Sequence, residues 1–166
     1  VVTIVNSGIS TTALFLLVGM LEDRRGTTDM AGFGGIAKVV PMFSVMLTLV
    51  MLSTIGLPGT NGFVGEFLVI MGAMQVNFWF AFAAAITLIF GAAYTLWMYK
   101  RVIFGAVANA HVGELQDINA REFLVLGVLA VLVLVMGVWP QPFADVLHVS
   151  VNELLAHVSF SKLPAQ

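Results

Sequence analysis

Cysteine is missing from the sequence altogether, which excludes disulfides, thiolate chemistry and iron–sulfur ligation by these residues. Charge is scarce. Asp, Glu, Lys and Arg make up 10% of the residues while 60% are hydrophobic, and the mean hydropathy is +1.02. Soluble domains carry about 25% charged residues, so this composition belongs to an integral membrane protein. The net charge of -2 is too small to attract nucleic acid, and the seven Lys and Arg serve instead as markers of topology. Three histidines, His111, His148 and His157, lack the spacing of a metal site; His148 and His157 lie nine apart and do not share a helix face. No basic n-region or small-residue cleavage site accompanies the first apolar run, so it does not read as a signal peptide. We expect residue 1 to fall inside or just before a membrane helix of a larger polytopic protein. Gly32-Phe33-Gly34-Gly35 follows a helix rather than a strand, which argues against a phosphate loop.

Residues 41–55 and 67–99 carry no charge at all, and between them Glu66 stands alone. It closes the stretch Gly56-Leu57-Pro58-Gly59-Thr60-Asn61-Gly62-Phe63-Val64-Gly65-Glu66, in which four glycines and a proline stop a helix. Within lipid, such a break is tolerated only where protein or trapped water satisfies the freed backbone groups. A carboxylate beside it, at membrane depth, marks a functional site. Glu66 lies near the start of the second half-helix. The positive end of the helix dipole favours its carboxylate and desolvation favours its neutral acid, and a group under such opposed effects suits proton exchange.

The remaining pattern gives an all-α membrane protein with about four crossings. Residues 1–21 form the first, about the 20 residues needed to span a hydrocarbon core of roughly 30 Å. On it Asn6, Ser7, Ser10, Thr11 and Thr12 make a polar patch, with Ser7, Ser10 and Thr11 on one face. Such small residues either let helices approach closely or line a water path. Residues 22–29 form a charged loop, and Lys38 begins the next helix. Residues 41–55 and 62–75 are each too short to cross alone, so they form either a hairpin or one discontinuous helix broken near 56–62. Counting positive charge favours the second. A single crossing puts Arg24, Arg25, Lys38, Lys100, Arg101 and Arg121 on one side with only Lys162 opposite, whereas a hairpin splits the basic loops evenly. Residues 77–99 and 123–138 supply the last two crossings. Residues 143–160 have the spacing of an amphipathic helix on the membrane surface or on a partner, giving a channel-type domain over 1–142 and an amphipathic tail over 143–166. Lys38 and Lys100 are candidate proton relays, with interface anchoring the preferred reading of both.

The string GLPGTNGFVGEF at 56–67, with ALFLLVGMLEDRR at 13–25, LWMYKRVIFG at 96–105 and GVWPQPF at 137–143, resembles the antiporter-like subunits of the proton-pumping NADH-quinone oxidoreductase, respiratory complex I, in their chain M form. These subunits are similar to those of multisubunit sodium/proton antiporters, and a discontinuous helix near the C-terminus is characteristic of them. The resemblance implies a membrane subunit that translocates protons, coupled to electron transfer from NADH to quinone. It implies no cofactor in this chain, with NADH, FMN, iron–sulfur clusters and quinone held by partner subunits, and sister antiporter-like subunits as neighbours in a bacterial inner membrane. It assigns Glu66 the role of terminal proton-channel residue, with Gly56, Pro58, Gly59 and Gly62 shaping the break, Thr60 and Asn61 holding water beside it, and Asn6, Ser7 and Thr11 lining the route. The family's other pumping residues, a glutamate–lysine pair and a central lysine, are expected upstream of residue 1. One departure stands out: this chain has Ser7-Gly8 where the family usually reads His-Gly, and serine does not take up a proton near neutral pH. Either Asn6 and Ser7 hold water in place of the imidazole, the reading preferred here, or the route differs. A sodium/proton antiporter subunit and a purely structural membrane-arm segment are the alternatives.

Overall fold

The computed structural model describes residues 2–107 and 110–161, with side chains through residue 158; Lys162, the one basic residue expected on the far side, lies outside the described residues. Helices and the turns between them account for all regular structure among these residues: α1 (Val2–Arg25), a 3-10 turn (Met30–Gly32), α2 (Ile36–Val39), α3 (Pro41–Thr54), α4 (Asn61–Val76), α5 (Phe78–Ile103), α6 (Ala110–Gly113), α7 (Ala120–Val138) and α8 (Gln141–Ser161). Only α1, α5 and α7 are long and apolar enough to cross a membrane singly. With 14 and 16 residues, α3 and α4 reach about 21 and 24 Å, short of a bilayer core of roughly 30 Å.

The two short helices make one traverse between them. Contacts along α1 run in strict order against them: Thr3 meets Gly65, Asn6 meets Asn61, and Ser10 meets Ser53. A hairpin would reverse that order partway. The basic end agrees, because the Gly35 amide donates to the Phe104 carbonyl, joining the segment that leads into α3 to the end of α5. The chain therefore leaves this end once, through α3 and α4, turns at Asn77 and returns through α5. Asn77 caps α5 by accepting from the Trp79 amide. The apolar core lies in the basic half, where Ala13 and Leu17 of α1 pack with Phe43 and Leu47 of α3, Ile103 of α5 and Leu126 of α7.

Two boundaries differ from the sequence reading. α1 continues through the charged run to Arg25 rather than stopping at 21. Arg24 ties that last turn down: Nη1 donates to the Met20 carbonyl at 3.0 Å, Nε to the Gln116 carbonyl at 2.9 Å, and Nη2 meets Glu122 at 2.5 Å. Gly26, with φ at 72°, then turns the chain away. Lys38 sits in the separate four-residue α2, because Pro41 restricts Val40 from helical geometry and opens α3 afresh.

Val40 has no side chain able to cap α3, so the cap comes from elsewhere in the chain. The Asp117 carboxylate, in the loop before α7, accepts from the Met42 and Phe43 amides at 2.9 Å each. Burial pushes the Asp117 pKa up. Hydrogen bonds from the Met42, Ile118 and Phe43 amides, with the Arg24 charge, more than offset this and hold it below the ordinary aspartate value. α7 itself starts with a capping box in which the Asn119 side chain and Glu122 satisfy each other's backbone N–H groups.

Candidate functional site

Apolar residues carry α3 to Thr54, where the chain unwinds into a tight connector. The Gly56 amide donates to the Ser53 carbonyl at 3.2 Å, Leu57 to Leu52 at 3.0 Å and Thr60 to Leu57 at 3.1 Å. Gly56 and Gly59 take positive φ angles of 74° and 95°, backbone that only glycine adopts without strain. Two further glycines matter through what touches them. A Cβ on Gly62 would collide with the Ser53 carbonyl, and one on Gly137 of α7 would collide with the Gly59 and Thr60 backbone.

Four side chains lock this connector to α1. Asn6 Nδ2 donates to the Asn61 carbonyl at 2.7 Å and Asn61 Nδ2 returns a bond to the Asn6 carbonyl at 3.2 Å. Asn61 Oδ1 accepts from Ser53 Oγ at 2.5 Å and Ser10 Oγ at 3.1 Å, and the two serine oxygens lie 3.1 Å apart. Asn6, Ser10, Ser53 and Asn61 are all buried. Because carbonyl oxygens can only accept, both amide orientations are fixed by chemistry. Asn6 Oδ1 is thereby left as a buried acceptor with no protein donor.

Beside this knot is a cavity of about 130 Å³ lined by Thr3, Asn6, Ser7, Ser10, Thr11, Ser53, Thr54, Gly62 and Glu66. Glu66, in the second turn of α4, is half-buried, and its carboxyl carbon lies 3.5 Å from the point where a side chain on Gly56 would begin. Its carboxyl thus occupies room that Gly56 leaves open. Among the described residues no cation forms an ion pair with it. A volume well above the roughly 30 Å³ of one water, walled by hydroxyls, an amide and a carboxyl, suits a short string of waters. Such a site can pass protons between a carboxyl and water; it has no nucleophile and base in contact.

Asn6, Ser7, Thr11, Gly62 and Glu66, singled out in the sequence, come together here, and Gly56 lies against Glu66. Asn61 holds the cavity wall from behind. Thr60 is buried but turns inward to donate to the Leu57 carbonyl, and Pro58 and Gly59 lie in the exposed connector. Lys38 and Lys100 are exposed at the basic end, and the structure brings neither to Glu66. Thr3, Ser53 and Thr54 entered no sequence argument. Ser53 and Thr54 are the last polar residues before the break, a signal that could have found them.

A sequence model for the NADH:quinone oxidoreductase/Mrp antiporter membrane family matches residues 2–91, more than half of the chain. The chain belongs to that family. Among similar family members, NADH-ubiquinone oxidoreductase chain 4 of Marchantia polymorpha is 39% identical over 160 residues, covering 96% of this chain and 32% of that protein. NADH-quinone oxidoreductase subunit M of Rhodobacter capsulatus is 38% identical over 148 residues, covering 89% and 29%. In structure, the chain matches one in respiratory complex I from Thermus thermophilus with bound NADH at a TM-score of 0.78 and 34% identity, covering 88% of this chain and 30% of that one. The chain thus spans about a third of the length of the curated family members it matches. The antiporter family's membrane character agrees with the three spanning helices and the broken fourth crossing.

Proposed function

We propose that this chain is part of a membrane subunit that translocates protons in an NADH-quinone oxidoreductase, with Glu66 exchanging protons with water in the cavity at the helix break. One observation carries the reading: the single acid of the charge-free region lines a polar cavity together with Asn6, Ser7 and Thr11 of α1. Asn6 lines the cavity, and the Ser7 and Thr11 hydroxyls extend the path. Where the family usually has histidine next to this point, the route here passes through water held by uncharged groups. Gly56, Pro58, Gly59 and Gly62 form the break; Thr60 and Asn61 keep it closed on itself. Residues 1–142 act as the channel part and residues 143–166 as an amphipathic tail.

Electron transfer from NADH through flavin and iron–sulfur clusters to quinone belongs to partner subunits, and sister antiporter-like subunits flank this one in the membrane. The basic loops face the cytoplasm of a bacterium and the tail faces outward, by the positive-inside bias. The test is Glu66→Gln in vesicles containing the whole complex. NADH-driven proton uptake should fall several-fold while the complex remains assembled. Unchanged pumping would remove Glu66 from the path, and sodium-dependent transport without NADH or quinone would turn the assignment towards a cation antiporter.

A further inference from the structure

We propose that Gly56 is a positioning residue for Glu66: the room left by its missing side chain seats the Glu66 carboxyl and holds it at the edge of the polar cavity. The inference rests on the proton-exchange role proposed above for Glu66. Side chains on a helix lean toward its N-terminus, so Glu66, in the second turn of α4, reaches back across the first turn to the connector. A Cβ on Gly56 would collide with Glu66 Oε2, lie 3.5 Å from its carboxyl carbon and touch the Phe63 Cα at 4.0 Å. The carboxyl therefore leans into the space that a methyl group would take, against the backbone of the first turn of α4. Glu66 also lines the cavity, together with Thr3, Ser7 and Thr54.

Gly56 has an ordinary reason to be glycine, and that reason does not account for this contact. α3 closes on a left-handed residue: the Gly56 amide donates to the Ser53 carbonyl, the Leu57 amide reaches back to the Leu52 carbonyl, and Gly56 has φ at 74°. Asparagine also serves in such a cap. It does not, however, leave the space beside the Cα empty. Gly59 supplies the comparison within the same connector, because its φ is 95° and yet a Cβ there would meet nothing within 4 Å. One glycine is needed for the backbone alone, the other for the backbone and the carboxyl.

Among the described residues no hydrogen bond or ion pair directs the carboxyl to this place, so the room itself decides it. To exchange protons, the carboxyl has to stand within hydrogen-bond reach of its partner in the transfer. Misplacing such a group by about 1 Å costs up to about a hundredfold in rate. A methyl on Gly56 makes a displacement unavoidable. The length of the acid matters for the same reason, since aspartate is one methylene too short to reach across the first turn of α4 to the seat.

The test uses the whole complex in vesicles and reads position and transport separately. Position is read at rest, without NADH, from the carboxyl band of a pH-jump infrared difference spectrum, assigned by its absence in Glu66→Gln. Gly56→Ala and Gly56→Asn should both shift that band to lower frequency, as a carboxyl pushed off the backbone into water gains hydrogen bonds, and should lower NADH-driven pumping to near the level of Glu66→Gln. Gly59→Ala imposes the same left-handed strain without filling occupied space, so it measures the cost of the backbone alone. Its band should stay in place and its pumping should exceed that of Gly56→Ala. Glu66→Asp should pump poorly although it keeps an acid, and adding Gly56→Ala to it should cost no more than Gly59→Ala costs by itself. A band that Gly56→Ala leaves in place would overturn the proposal. So would equal pumping by Gly56→Ala and Gly59→Ala while Glu66→Gln still lowers transport, a result that leaves the role of Glu66 standing. Wild-type pumping by Glu66→Gln would remove that role itself, and the proposal with it.

Discussion

Replacing Asn61 by alanine tests the knot that holds the helix break against α1. The Asn61 side chain has three partners: the Ser10 and Ser53 hydroxyls, which donate to it, and the Asn6 carbonyl, which accepts from it. Once it is gone, Ser10 and Ser53, already 3.1 Å apart, can pair with each other. The net loss is then one hydroxyl donation and the bond to Asn6. At about 0.6–1.7 kcal/mol for each side-chain hydrogen bond between membrane helices, the break loses about 1–3 kcal/mol. Local opening should accordingly become about 5- to 150-fold more frequent. Hydrogen exchange on the intact complex reads this at the amides that close the connector, Gly56, Leu57 and Thr60. Their exchange should accelerate within that range, while core amides of α7 stay unchanged. Acceleration below twofold would mean that glycine packing alone holds the break and the polar knot contributes nothing.

Other substitutions probe the remaining supports. Asp117→Asn should destabilise the start of α3 by about 1 kcal/mol, as the loss of a charged cap does. Because folding lowers the Asp117 pKa, its contribution is complete above the ordinary aspartate value of about 3.9 and fades as pH falls below it, so wild type and variant should converge in thermal stability only in strong acid. Arg24→Gln should cost about 2 kcal/mol and Glu122→Gln about half that, since Arg24 also holds the Gln116 and Asp117 carbonyls; equal losses in Tm would contradict this ranking. Gly62→Ala forces a methyl into the Ser53 carbonyl and should cost about 1–3 kcal/mol, visible as poorer assembly of the complex and weaker pumping.

Much of this architecture was legible in the sequence because lipid leaves few choices. An apolar run interrupted by Gly56, Pro58, Gly59 and Gly62 has to break, and the charge count favoured a single traverse, which gathers six basic residues on one side; the ordered contacts of α1 with Gly65, Asn61 and Ser53 bear that out. The polar patch on the first helix was visible too, but its division of labour was not. Ser7, Ser10 and Thr11 all line the cavity, but Ser10 is buried and bonded into the knot whereas Ser7 and Thr11 are exposed, a distinction set by where α3 and α4 lie. The long-range supports left almost no local trace. Asp117 caps a helix some 75 residues earlier, and Gly137 admits the connector backbone, neither of which follows from neighbouring residues. The Asn119 and Glu122 capping box, by contrast, has a recognisable spacing and went unread.

The central claim is that the Glu66 carboxyl gains and loses a proton in its cavity as the complex turns over. Infrared difference spectroscopy on the assembled complex, with and without NADH and quinone, tests it most directly. A carboxyl band should appear or vanish on turnover in wild type and be absent in Glu66→Gln. A difference spectrum that the substitution leaves untouched would contradict the account.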